Sequence, residues 1–256
     1  MSIGEDVSDP AIPEAQMQPD PFALLKRIHT GVARCAKVGA CENRESIEYL
    51  WLYVSKTGIG QPDSGATAAQ LSVEDWLNVV DEVASLGARW LVVSALSNLS
   101  TCPDIWTICA WGQDTHGMLV GLHTHAPTLT QEEIAGIQQL DPAKTRLLVN
   151  ESAWDSVRPL RESGIEAIIV KPEMSEPDGE CTKPGKMAFV NPQGEMYTCA
   201  LVEGFGDFKL GNVFTGSMNA LLRDPHLPHA VPSSAPHKEH GCAGCPPLMA
   251  QYFKNE

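Results

Sequence analysis

The sequence predicts an α/β fold built on a parallel sheet, and three observations carry that prediction. From Glu48 to Lys171, short apolar runs alternate with segments of helical spacing. Capping residues and glycines punctuate the alternation where helices should start and stop. Beyond Lys171 the alternation ends and the composition turns to Pro, Gly, Cys and His, which places a domain boundary near residue 172. A helix between successive strands makes them parallel with right-handed crossovers, either in an open doubly wound sheet or in part of a barrel. The pattern alone is compatible with both.

Residues 1–21 are rich in Pro and acids and poor in large apolar side chains, so they read as a flexible acidic arm. Phe22, Leu25, Ile28 and Val32 fall on one side of a helix that stops near Gly39. The apolar run Tyr49–Val54 is a buried first strand, and the Gly-rich loop Ser55–Gln70 follows it. Ser72 is a good N-cap for a helix carrying Trp76, Val79, Val80 and Val83, which Gly87 ends before the strand Trp90–Ser94. Pro103 suits the first turn of a second helix, followed by the strand Met118–His123. Thr130 and Glu133 form a capping box for a third helix, and Thr145–Val149 is strand four. A fourth helix over Ala153–Glu162 stops at Gly164 before a fifth strand, Glu166–Val170. In the last third, Met187–Val190 and Glu195–Cys199 flank the turn Asn191-Pro192-Gln193-Gly194 as a hairpin. A further strand over Leu210–Thr215 and a short helix over Ser217–Arg223 complete the reading.

The formal charge of −14 repels phosphates over most of the surface, which argues against nucleic acid or an anionic membrane as partner. No stretch approaches the roughly 20 apolar residues of a membrane span, and Met1–Pro21 carries Asp and Pro where a leader would be basic and apolar. A cytoplasmic location is therefore expected. In that reducing setting eight cysteines point to metal or redox chemistry more than to disulfides.

Cys242-Ala243-Gly244-Cys245 has the two-residue spacer that lets one turn of backbone aim two thiolates at one metal. Upstream, Cys181 lies in a loop, Gly194 turns the hairpin, and Cys199 ends the returning strand. The order of these residues resembles the auxiliary-cluster module of radical S-adenosylmethionine enzymes, the SPASM module in its short "twitch" form. Lys209-Leu210-Gly211-Asn212-Val213 is similar to the Gly-Asn-Val/Ile stretch between the two cysteine pairs of that family. The resemblance implies one 4Fe-4S cluster on Cys181, Cys199, Cys242 and Cys245. It also implies a truncated β/α barrel of about five parallel strands and four helices over residues 22–172, with the hairpin and a helix in a module over 173–256.

The departures from the family are as informative. Its members place three closely spaced cysteines directly after the first strand, leaving one iron open to S-adenosylmethionine. Ser55–Gln70 contains no cysteine. The Gly-Gly-Glu expected after strand two is replaced by Ser94-Ala95-Leu96-Ser97-Asn98. Binding and conventional cleavage of S-adenosylmethionine are therefore not expected. The reading is of an iron-sulfur protein in electron transfer, or a subunit docking a redox partner or enzyme. One alternative is an oxidoreductase or radical-type enzyme with unconventional cofactor binding at the barrel mouth, where His123, His125 and Cys102 would line a pocket. Another is a module stabilised by zinc on the same four cysteines. Cys35, Cys41, Cys102 and Cys109 lack usual chelate spacing, and His226, His229, His237 and His240 sit in a Pro-rich loop, so both sets read first as structural or solvated.

Overall fold

The computed structural model describes residues 47–55, 71–95, 97–170, 180–235, 242 and 244–253. The expected acidic arm, the helix over residues 22–38, the loop after the first strand, Cys35 and Cys41 lie outside them. Eight strands form one sheet: β1 (Tyr49–Ser55), β2 (Trp90–Ala95), β3 (Leu119–Thr124), β4 (Thr145–Val149), β5 (Glu166–Ile169), β6 (Met187–Val190), β7 (Glu195–Tyr197) and β8 (Lys209–Asn212). Their order is β5-β4-β3-β2-β1-β6-β7-β8. The helices are α1 (Val73–Ser85), α2 (Ile105–His116), α3 (Gln131–Ile137), α4 (Arg158–Glu162), α5 (Met218–Arg223) and α6 (Pro246–Tyr252).

Strands β1 to β5 are parallel and each lies beside its predecessor, without the reversal of order that marks a doubly wound sheet. The side-chain partition settles the winding. Strand residues of one parity, among them Leu50, Leu52, Leu91, Val93, Val120, Leu122 and Leu147, share a core with α1 to α5. Those of the other parity, among them Tyr49, Trp51, Tyr53, Val92, Leu148 and Phe189, share a second core with Cys199, Cys242, Cys245, Met249 and Ala250. Helices α1 to α5 thus cover one face only, as in a β/α barrel cut short and left open as a sheet.

The C-terminal hairpin does not form a sheet of its own. β6 pairs in parallel with β1, from Tyr49 opposite Met187 to Leu52 opposite Val190, and β7 and β8 continue antiparallel. The inner face is therefore roofed by the chain's own last third. Helix α6 packs across it, and Met249 occupies the notch left by Gly121 on β3, where an added Cβ would come within 2.6 Å of the Met249 sulfur. None of the helices among the described residues is long and apolar enough to cross a membrane.

Two helices depart from the sequence reading. Pro103 lies in a turn, and α2 begins only at Ile105. The helix expected from Ala153 is a short 3-10 turn, Glu151–Ala153, then a separate α4. Pro159 is the physical reason: without an N–H, and hindering an α conformation just before it, it fits a first helical turn and not a helix middle.

Met249 is fully buried. Met249→Ala is expected to destabilise the protein by about 2–5 kcal/mol, as large-to-small core changes do, measured as a lower urea midpoint. A change within measurement error would show that α6 does not dock on β3.

Candidate metal centre

Each expected cysteine ligand is fixed by a different local device. Cys199 follows the hairpin, whose turn is set by Asn191: its side-chain oxygen accepts from the N–H groups of Gln193 and Glu195, both at 3.0 Å. Its amide nitrogen donates to the Glu203 carboxylate at 2.8 Å. Gly194 takes φ +71°, the left-handed region that a side chain disfavours. After β7, Thr198 donates its N–H to the Phe208 carbonyl at 2.9 Å and its hydroxyl to the Pro228 carbonyl at 3.1 Å. Cys199 follows in extended conformation, ahead of the turn Ala200–Val202.

Cys181 is held by a two-bond antiparallel bridge to Val231, its N–H donating at 2.8 Å and its carbonyl accepting at 2.9 Å. In the second pair the Cys245 N–H donates to the Cys242 carbonyl at 2.7 Å, closing a tight turn. Cys245 is also the N-cap of α6, with Pro246 at its first position. The Gly211-Asn212-Val213 stretch braces the hairpin. Asn212 donates to the Gln193 carbonyl at 3.1 Å, and Gly211 leaves room for Leu221.

These devices bring the four thiols together. Cys181, Cys199, Cys242 and Cys245 line one cavity, whose other walls are Trp51, Pro184, Met187, Leu201 and Val231. All four are free of disulfides. No group of three or more His, Cys, Asp or Glu side chains among the described residues is placed to hold a single metal ion. Burial pushes the Cys199 thiol up to about 12 and the Cys242 thiol up to about 11, with neighbouring thiols adding to both. Cys245 is raised well above the ordinary range by burial, then by Cys242, Cys199 and Cys181. Each of the four would repel the others as thiolates, and the Lys183 ammonium near Cys242 offsets little of that. A donor set of four thiols in an apolar cavity fits a cationic inorganic core, whose entry would displace their protons.

The pocket expected at His123, His125 and Cys102 is divided between the two faces. The His123 and His125 rings lie together, centroids 4.5 Å apart. Cys102 belongs to the helix-side core, near enough to Cys109 to add to the upward shift that burial imposes on that thiol. His123 is fully buried, and neither ring nitrogen has a hydrogen-bond partner among the described residues. Burial, then His125, pushes it down to about 3, so the ring is neutral. Ser94, at the head of the segment replacing Gly-Gly-Glu, accepts a bond from the Trp51 indole at 2.8 Å. His229 bonds the Asp224 carbonyl at 2.9 Å and His226 is exposed; His237 and His240 lie outside the described residues.

Sequence reading missed α6 and the part Trp51 plays as a cavity wall. Cys245-Pro246-Pro247 was a signal for the helix, since Pro favours a first turn. Nothing in the sequence distinguished Trp51 from the other core aromatics.

Residues 181–246 match the SPASM family, an iron-sulfur cluster-binding domain. No curated protein matches the sequence. Among solved structures, Streptococcus suis SuiB bound to S-adenosylmethionine is similar at 10% identity and a TM-score of 0.46, covering 85% of this chain and 72% of that one. SuiB bound to the precursor peptide SuiA is similar at 10% identity and 0.47, covering 85% and 73%.

Gly194→Ala is expected to cost about 1–2 kcal/mol from the left-handed conformation alone, with a Cβ 2.9 Å from Val213 adding to it. Urea unfolding measures this, and an unchanged midpoint would contradict the turn geometry. Over residues 181–246 the chain is thus similar to the SPASM family of iron-sulfur cluster-binding domains.

Proposed function

We propose that the chain holds one 4Fe-4S cluster on Cys181, Cys199, Cys242 and Cys245 and serves electron transfer, as a carrier or as a subunit docked on a redox partner. The observation that carries the reading is the shared cavity: four thiols from three separate segments line it, and its other walls are apolar. When bound, such a cluster accepts and releases single electrons. The chain's own part is to exclude water with Trp51, Met187, Leu201 and Val231 and to hold the sulfurs in register.

Three observations support a protein that does not cleave S-adenosylmethionine. The segment Ser55–Gln70 supplies no thiol. Ser94 is engaged by Trp51 where the family's carboxylate-bearing motif would begin. The inner face of the sheet, where a barrel enzyme would hold substrate, is covered by α6 and the cysteine module. The charge of −14 suits a basic partner surface, and free thiols suit the reducing cytoplasm.

Anaerobically purified protein is expected to be coloured, with iron and acid-labile sulfide in the ratio of one 4Fe-4S cluster per chain. Cys199→Ser and Cys245→Ser should each bleach it. Reduced protein incubated with S-adenosylmethionine should yield no 5′-deoxyadenosine above a protein-free control. Zinc in place of iron, or full colour in both variants, would overturn the cluster assignment, and 5′-deoxyadenosine formation would overturn the noncatalytic one.

A further inference from the structure

His123 is the one fully buried histidine whose two ring nitrogens both lack a partner among the described residues. Its position is informative. It lies on β3 opposite Ser94 of β2. Ser94 accepts the Trp51 indole N–H at 2.8 Å, and Trp51 is a wall of the cysteine cavity. His123 therefore stands on the inner face beside that cavity. Against it rests Gly244, between Cys242 and Cys245, where an added Cβ would fall on the ring at Nδ1. Gly244 is not among the glycines with positive φ. What the position requires is the missing side chain, so that the ring can approach the Cys242–Cys245 turn.

An imidazole carries an N–H on one ring nitrogen in either tautomer. A buried donor that finds no acceptor among the described residues, the Cys242 and Cys245 sulfurs included, and that rests against the turn carrying those two cysteines, is left for a sulfur of the bound core to accept. We propose that His123 is a positioning residue for the cluster, donating its ring N–H to a sulfur on the Cys242–Cys245 side and so tying the metal centre to the sheet. This rests on the cluster reading above. A donor to cluster sulfur stabilises the more negative, reduced state, so His123 raises the reduction potential.

The test begins with iron and sulfide analysis of the wild-type protein; their absence overturns the cluster reading and this proposal with it. With the cluster present, His123→Phe keeps a ring and removes the donor. It is expected to retain iron and sulfide while its midpoint potential falls below that of the wild type. His123→Asn, with an amide donor near the Nδ1 position, should recover part of the difference. Pulsed paramagnetic resonance on reduced protein labelled with ¹⁵N-histidine should show a nitrogen coupling that His123→Phe abolishes. Should His123→Phe fail to load, Gly244→Ala serves, because its methyl displaces the ring, and the coupling should weaken. An unchanged potential in His123→Phe, no histidine coupling in the wild type, or a coupling unaffected by Gly244→Ala overturns the proposal.

Discussion

The parallel pairing of β6 with β1 is the constraint on which the rest of the structure depends. It fixes the hairpin bearing Cys199 to the central strand, and the cysteine-bearing segments pack on the face of the sheet opposite α1 to α5. Period-two alternation in β1 then divides the labour. Leu50, Leu52 and Val54 pack on the helices, whereas Tyr49, Trp51 and Tyr53 face the module. Phe189 of β6 meets Trp51 and Tyr53 edge-on, at 5.5 and 5.8 Å between centroids. Such pairs add about 0.5–1.5 kcal/mol beyond their burial. The aromatic face thus belongs to the second core and, through Trp51, supplies one wall of the cysteine cavity.

Placing four thiols against that wall has an electrostatic consequence. Burial, with repulsion from neighbouring thiols, holds Cys199, Cys242 and Cys245 above the ordinary thiol range, so ionising these three is costly. A cationic core would reverse the balance by supplying the missing positive charge, and the free energy of its binding would become folding free energy for the segments that carry the cysteines. Cys181 is tied to Val231, Cys199 to the hairpin, and Cys245 to α6. A core bonded to all of them would join three otherwise separate pieces of the last third.

Much of the β/α half was legible in the sequence. The strand read as Thr145–Val149 has those bounds in the structure, three others differ by one residue at one end, and the strand read as Met118–His123 is shifted by one residue at both ends. The Thr130–Glu133 capping box is present. Its long-range half was invisible, because Glu133 also accepts the N–H of Leu99 at 2.5 Å, and no local pattern records a partner 34 residues away. The winding of the helices was equally hidden. Strands buried on both faces read as continuous apolar runs, which leaves unsaid what covers each face. The hairpin's union with β1 was hidden for the same reason, since alternation shows that a segment is a strand and not which strand it pairs with. That Cys181, Cys199, Cys242 and Cys245 meet at one cavity was expected from spacing and family resemblance. The contact of Gly244 with His123 was not, because a glycine kept for close approach looks like any other glycine in a loop.

The central claim is that four sulfurs from separate segments bind one inorganic core. Anomalous diffraction at the iron edge from anaerobically grown crystals tests it most directly. The account predicts iron anomalous density within the cavity, bonded to the sulfurs of Cys181, Cys199, Cys242 and Cys245. Iron bound elsewhere, or any one of these sulfurs turned away from it, would contradict the account.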